Sequence, residues 1–89
     1  MFEDPFESSA NSVTSPAADC FAIVPSDAQE LPRATKAIYV GSGGDITLRP
    51  VNGEEDVVFT NVASGSILDI RVRAIRASGT TALDIVGLI

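Results

Sequence analysis

The sequence predicts an all-β domain, a small antiparallel β-sandwich or open barrel of about five or six strands, preceded by an extended N-terminal arm. Three observations support this prediction. From residue 36 onward the apolar residues recur with a period of two, no segment has a convincing helical period, and Asn52-Gly53 separates two alternating segments as a hairpin signal. At 89 residues the chain is long enough for one domain.

The N-terminal part of the chain differs in composition from the rest. Residues 1–32 contain six of the twelve acidic residues, none of the six basic residues and four of the five prolines. Such a segment buries too little apolar surface to offset the entropy lost on ordering. We therefore divide the chain into an acidic arm, residues 1–20, and a β domain, residues 21–89. A plain disordered terminus is the alternative; against it, Phe2 and Phe6 are candidate anchors for a partner's pocket.

The first elements of the domain are short. Residues 21–24 form an apolar run that fits either an additional strand or a segment lying under the domain, and Ser26 can cap a single helical turn. Residues 37–40 predict a strand that ends at the glycine-rich residues 41–44. That turn lacks the Gly-Lys-Ser/Thr ending of a phosphate-binding loop and any following helix, so we interpret it as a strand-to-strand turn.

Asn52-Gly53 predicts a two-residue turn between strands at residues 45–51 and 54–61, because both residues tolerate a positive φ. In that register one face collects only apolar residues and the other carries an opposite-charge pair. The apolar face holds the facing pairs Ile46–Phe59 and Leu48–Val57, and the charged pair is Arg49–Asp56.

A second hairpin is predicted from a strand at residues 67–76 and a turn at Ser78-Gly79. Its register places Arg73 opposite Asp84, and it pairs inward residues of the two strands. Those pairs are Val72 with Ile85 and Ala74 with Leu83, next to the inward Leu68 and Ile70.

Three apolar residues of this hairpin, Ile75, Val86 and Leu88, fall on the outer face in that register. Only about a dozen residues point inward, so the core of an isolated domain is marginal. The three residues are therefore candidate partner contacts of an obligate homo-oligomer. A two-sheet sandwich that covers both faces is the alternative.

Composition excludes several kinds of site. The chain has no histidine and one cysteine, so it lacks imidazole catalysis, an internal disulfide and a cysteine-rich zinc site. A net charge of −6 disfavours binding to nucleic acid, and no apolar run approaches the roughly 20 residues of a membrane span. The acidic start predicts no export segment. We expect neither an enzyme nor a bound cofactor or metal.

The remaining clusters have structural interpretations. Residues 54–56 lack the spaced oxygen ligands of a calcium loop and fit the solvated start of a strand. Cys20 has no base partner, which predicts a buried or incidental thiol. The last cluster is basic and consists of Arg71, Arg73 and Arg76. Asp69 and Asp84 lie nearby, so this cluster predicts ion pairs on a sheet face.

A succession of segments resembles one known family. Residues 23–41 contain a Pro-Ser-Asp-Ala block and a Lys-Ala-Ile-Tyr-Val-Gly strand; Gly-Asp-Ile at 44–46 and Asp-Val-Val-Phe at 56–59 follow. Residues 70–81 end in an Arg-Ala-Ser-Gly-Thr-Thr turn, and Ile-Val-Gly follows at 85–87. Over roughly residues 20–89 this succession resembles the spike base proteins of alphaproteobacterial gene transfer agents and related tailed phages of roseobacters.

The resemblance implies a virion structural protein on the outer surface of an icosahedral head, assembled in the bacterial cytoplasm. It would sit at five-fold vertices and anchor a spike or fibre. The implied partners are the major capsid protein, the spike or fibre protein and further copies of this chain, with a pentamer favoured over a trimer; neither nucleic acid nor membrane is expected. Two alternatives stay open: a cement protein clamping capsomers at three-fold positions, and a carbohydrate-binding adhesin module, for which Tyr39 is the available stacking aromatic.

Overall fold

The computed structural model describes residues 16–89, so the candidate anchors Phe2 and Phe6 lie outside the described residues. Within this range the chain forms seven strands, and no helix is long and apolar enough to cross a membrane. The strands are β1 (Cys20–Ala22), β2 (Ala37–Ser42), β3 (Gly44–Pro50), β4 (Val57–Val62), β5 (Ser66–Leu68), β6 (Val72–Ile75) and β7 (Leu83–Leu88).

The strands form two antiparallel sheets. Sheet A has the order β1-β7-β2-β5 and sheet B the order β4-β3-β6. The predicted all-β fold is confirmed, and the predicted extra strand near residues 21–24 is β1. The core lies between the sheets because alternate residues of each strand point inward. Its buried members are Ile23, Ile38, Val40, Ile46, Leu48, Val72, Ile75, Ala82 and Ile85.

The predicted register of β3 and β4 is confirmed. Ile46 lies opposite Phe59 and Leu48 lies opposite Val57. Ile46 and Leu48 are fully buried, whereas Val57 is exposed because β4 is an edge strand of sheet B.

The predicted Asn52-Gly53 turn is wrong. The Gly53 N–H donates to the Pro50 carbonyl at 3.0 Å, so Val51 and Asn52 are the central residues, and neither Asn52 nor Gly53 has a positive φ. The end of β3 pairs with β6 instead, since the Val51 N–H donates to the carbonyl of Arg71. This long-range pairing holds the end of β3 away from β4 and opens the connection to residues 51–56.

The predicted second hairpin is also wrong. Residues 67–76 divide into β5, which pairs with β2 in sheet A, and β6, which pairs with β3 in sheet B. The Ile70 N–H donates to the Leu68 carbonyl at 2.9 Å, a tight turn at which the chain leaves sheet A. Strand β7 pairs with β1 and β2, so β6 and β7 lie in different sheets.

The outward position predicted for Ile75 is wrong. Its side chain is 1% exposed and lies in register with Leu48, in the core. The ladder shifts register between Arg49 and Pro50, and this irregularity changes which residues of β6 face inward. The free side of β6 is covered by residues 26–35, whose N–H groups donate to the carbonyls of β6.

Residues near the two ends of the described chain are hydrogen-bonded to each other. Asp19 and Ile89 exchange both backbone hydrogen bonds at 2.8 Å, and the Ala18 N–H also donates to the Ile89 carbonyl. Further along, the Ser26 hydroxyl accepts the N–H groups of Ala28 and Gln29. The capping bonds expected of Ser26 therefore form, but the segment makes bends rather than a helical turn.

Candidate interaction surface

The outer face of sheet A carries a row of uncharged side chains from all four strands. Ala22 on β1 lies opposite Val86 on β7, Val86 lies opposite Tyr39 on β2, and Tyr39 lies opposite Ile67 on β5. Residues directly opposite each other point to the same face of a sheet. Tyr39 is 38% exposed and Ile67 is 61% exposed, so this row is an uncovered apolar surface on the described domain.

A second row lies beside the first. Cys20 and Ala37 both lie opposite Leu88, and Cys20 is exposed rather than buried. Val86 and Leu88, which the alternation places on an outer face, are half-buried on this one. Their role as partner contacts stays a prediction. We call these two rows, Ala22–Val86–Tyr39–Ile67 and Cys20–Leu88–Ala37, the apolar face.

Asp84, at the start of β7, is the one charged residue in the four strands of sheet A. Asp84 has a φ of 56° and packs against Gly41, where an added Cβ would lie 2.7 Å from the Asp84 Cβ. The predicted strand-to-strand turn at residues 41–44 is a direct passage from sheet A to sheet B.

The outer face of sheet B has the opposite character. Asp56 accepts from Arg49 at 2.9 Å and from Arg76 at 3.2 Å, so one carboxylate joins two guanidinium groups. Arg73 lies 3.5 Å from Glu30. The predicted Arg49–Asp56 pair is confirmed, whereas Arg73 pairs with Glu30 instead of Asp84. The interpretation of Arg73 and Arg76 as ion-paired is confirmed, with partners that the sequence did not indicate.

Two of the sequence blocks that carry the family resemblance meet in the structure. The Oδ1 of Asp27, in the Pro-Ser-Asp-Ala block, accepts the Ser78 N–H at 2.9 Å, and its Oδ2 accepts the Ser78 hydroxyl at 2.7 Å. The Ser78 N–H is the largest cause that lowers the pKa of Asp27, and the Ser78 hydroxyl is the next. This contact ties the β6–β7 connection to the segment that precedes β2.

The two threonines that follow anchor the same connection to β3. The Thr81 hydroxyl accepts the Asp45 N–H at 2.9 Å, and the Thr80 hydroxyl accepts the Thr47 N–H at 3.0 Å. The Asp45 carbonyl accepts the N–H of Thr81 at 2.8 Å and that of Ala82 at 3.2 Å. Residues 76–82 thus continue the pairing of β3 beyond the end of β6, and they fix where β7 enters sheet A.

Two depressions flank the edge of sheet A that β1 forms. An apolar groove of about 400 Å³ lies between residues 23–25 and the start of β7. Val24 and Leu83 are 81% and 65% exposed at this groove. A cleft of about 230 Å³ lies between β1 and residues 26–32. Residues 16–89 contain no group of three or more His, Cys, Asp or Glu residues that could hold a metal ion.

No family model and no curated protein matches this sequence. A solved structure of the capsid of a native GTA particle, computed with C5 symmetry, contains a similar chain. The two chains are 39% identical and superpose with a TM-score of 0.85, and the match covers 98% of this chain and 100% of the other. This chain belongs to the GTA capsid proteins.

Membership of this family indicates that surfaces of this chain contact other components of a particle. The resemblance to gene transfer agents seen in the sequence is confirmed at the level of a capsid protein, and the chain is a virion structural protein. A component of a capsid associates with other components of the particle. The apolar face is an uncharged surface that sheet A presents to them.

Proposed function

We propose that this protein is a spike base, which decorates the outer surface of the head at its five-fold vertices and anchors a spike or fibre. The observation that supports this most strongly is the whole-length similarity to a chain of a particle capsid computed with C5 symmetry. Five-fold symmetry about one axis is the local symmetry of a vertex of an icosahedral shell. A subunit placed there meets copies of itself through one repeated contact.

The contrast between the two outer faces fits this role. The apolar face of sheet A gains free energy when a neighbouring molecule covers it, at about 25 cal/mol for each Å² removed from water. On the outer face of sheet B, Arg49 and Arg76 are already paired with Asp56, and these charged groups suit exposure to solvent. In the proposed role this chain contacts other copies of itself, the major capsid protein beneath it and the spike or fibre above it.

The arm, residues 1–20, is proposed to strengthen attachment to the shell or to a neighbouring copy. Residues 18–20 are hydrogen-bonded beside β7, so the reach comes from the residues before Pro16. Fifteen residues at about 3.3 Å each extend up to roughly 50 Å. The acidic residues favour a basic groove on the partner, and Phe2 and Phe6 supply apolar anchors.

Truncation tests the arm. A chain that starts at Pro16 keeps the hydrogen bonds between residues 18–19 and Ile89, so its domain remains intact. Purified particles carrying this chain should lose it at lower salt than particles carrying the full chain. Phe2→Ala combined with Phe6→Ala should reproduce much of the loss, whereas Val13→Ala in the same arm should not. Full retention of the truncated chain at high salt would show that the β domain alone holds the position.

The number of copies in each particle tests the proposed function. A spike base occupies only vertices, at about five copies each for a cyclic pentamer. A cement protein at three-fold positions is spread over the whole shell, in numbers comparable with those of the major capsid protein. Quantitative mass spectrometry of purified particles distinguishes the two. A ratio near one copy for each major capsid subunit would contradict the spike-base role and favour the cement protein.

A further inference from the structure

Among residues 16–89 no further strand pairs with either edge of sheet A, so the order β1-β7-β2-β5 leaves one open edge at each end. The corresponding edge of sheet B at β6 is covered, because the N–H groups of Ser26, Leu31 and Thr35 donate to its strand carbonyls at 2.8–3.0 Å. An open edge presents unpaired N–H and C=O groups and acts as a template for another strand.

Backbone geometry shows which groups face each edge. Asp19 and Ile89 exchange hydrogen bonds, and the Ile23 N–H donates to the Ile85 carbonyl at 2.9 Å. Hydrogen-bonded and non-hydrogen-bonded pairs alternate in an antiparallel ladder, so the backbone groups of Ala22 point away from β7 to the open edge. The same alternation of bonded and non-bonded pairs can be followed across the sheet, from Ile85 on β7 through β2 to β5. It makes the backbone groups of Ile67 point to the open edge of β5.

The two edges match in direction and composition. Strand β1 is antiparallel to β7, β7 to β2 and β2 to β5, so β1 and β5 run in opposite directions. Strand β5 of one copy would therefore run antiparallel to β1 of a second copy placed beside it in the same orientation. Neither β5 nor residues 20–24, which comprise β1 and the two residues after it, contain a charged residue or proline, the devices by which proteins commonly block edge pairing.

The side chains at the two edges also match. The row Ala22–Val86–Tyr39–Ile67 begins at one edge and ends at the other, so it would continue unbroken from copy to copy. Ile67 is 61% exposed at the β5 edge and Val24 is 81% exposed just beyond β1. The cleft between β1 and residues 26–32 leaves room beside that edge for an incoming strand.

We propose that neighbouring copies are joined by continuation of sheet A, with β5 of one copy paired antiparallel to the edge Ala22–Val24 of the next. The partner is a second copy of this chain because one chain carries both edges of the contact. The two edge strands run in opposite directions, and neither carries a charge that would repel the other. Such a head-to-tail contact generates a ring when the rotation closes. This inference rests on the homo-oligomer of the proposed function and names its contact.

Disulfide trapping of the full chain tests the contact. In a Cys20→Ser background, Ile67→Cys is combined with Ala22→Cys or with Val24→Cys. Within one chain, residues 22 and 67 are three strand spacings apart, about 14 Å. That exceeds the roughly 7 Å Cα separation that a disulfide spans, so any bond joins two copies. We expect mild oxidation to give a ladder of covalent multiples on a non-reducing gel with at least one of the two pairs.

The matched control replaces Ile67→Cys by Val58→Cys, since Val58 is a comparably exposed residue (53%) on the edge strand of sheet B. It should give no ladder with Ala22→Cys. Absence of a ladder from both test pairs in folded protein, or an equal ladder from the control, would overturn the contact. Ile67→Lys puts a charge on the β5 edge and should reduce the mass measured by light scattering to that of one chain, whereas Val58→Lys should not. An unchanged mass for Ile67→Lys would also overturn the proposed contact.

Different measurements test the spike-base role and the edge contact between copies, so one can be contradicted without the other. Particles with copies confined to vertices, but no cross-link from either test pair, would retain the spike base and contradict the edge contact. A cross-linked ladder from a protein spread over the whole shell would support the edge contact and contradict the spike base.

Discussion

Thr35→Val should destabilise the protein although it barely changes the shape of the side chain. Thr35 lies just before β2 of sheet A and is fully buried. Its N–H donates to the Val72 carbonyl at 3.0 Å, and its hydroxyl accepts the Val72 N–H at 3.1 Å. Val72 begins β6 of sheet B, so this residue links the two sheets through two hydrogen bonds. Valine keeps the first bond and removes the second.

The expected cost follows from the Val72 N–H, which is left buried without its acceptor. An unsatisfied buried donor costs about 1–3 kcal/mol in free energy of unfolding. For a domain of this size each kcal/mol lowers Tm by about 4–8 °C, so the decrease in Tm should be roughly 4–24 °C. Thr35→Ser keeps the hydroxyl and loses one methyl group, at a cost of about 1 kcal/mol.

Urea denaturation at one fixed protein concentration measures these differences, because oligomerisation makes apparent stability depend on concentration. Thr60→Val, at an exposed position of β4, is the matched control and should change the free energy of unfolding by less than about 0.5 kcal/mol. A Thr35→Val variant as stable as the Thr60→Val variant, or more stable than Thr35→Ser, would refute the reasoning.

Two further predictions concern a close backbone approach and acid stability. Gly43→Ala should lower the free energy of unfolding by about 2 kcal/mol or more, because the added Cβ would overlap the Val62 carbonyl oxygen. At Gly65 (φ 79°) an added Cβ meets nothing within 4 Å, so Gly65→Ala should cost only about 1 kcal/mol of backbone strain. Equal costs of the two substitutions in urea denaturation would contradict this. Asp27 has a lowered pKa because Ser78 hydrogen bonds favour its charged form, so the stability it contributes is complete above about pH 4 and is lost as pH falls through the lowered folded pKa. The free energy of unfolding should therefore fall more between pH 5 and about pH 2 than it does for Asp27→Asn, and parallel profiles would show that the Ser78 contact does not favour the carboxylate.

The sequence predicted correctly the register of a pair of strands that are consecutive along the chain. Both faces of the β3–β4 pair constrain its register, since Ile46 must be buried and Arg49 gains from facing Asp56. The Asn52-Gly53 turn failed because the pairing of β3 with β6, formed by residues distant in sequence, decides where the hairpin turns. Local turn propensity carries no information about that third strand.

The point between β5 and β6 at which the chain passes from sheet A to sheet B could not be predicted from the alternation of apolar residues. Leu68, Ile70, Val72 and Ala74 keep a period of two through the break, so the pattern looks like one strand although the chain changes sheets. The same break explains the misplacement of Ile75, which faces the core after the register shift opposite Arg49.

The apolar face was predictable in part. Alternation placed Val86 and Leu88 outward, but it could not place Tyr39 and Ile67 beside them, because that requires the order of strands in sheet A. A usable signal existed: Tyr39 lies between Ile38 and Val40, two β-branched apolar residues typical of a core strand, and a residue between two inward residues faces the other side. The structure buries Ile38 and Val40 fully. The meeting of Asp27 with Ser78 had no such signal, since 51 residues separate them.

The most direct test of the central claim is a reconstruction of the particle around one vertex, made from particles with and without this chain. The spike-base account predicts a ring of about five sandwich-shaped densities on the outside of each vertex, absent from particles that lack the chain. Each density should match one domain, 40 × 27 × 19 Å in extent. Difference density at three-fold positions, with bare vertices, would contradict the account.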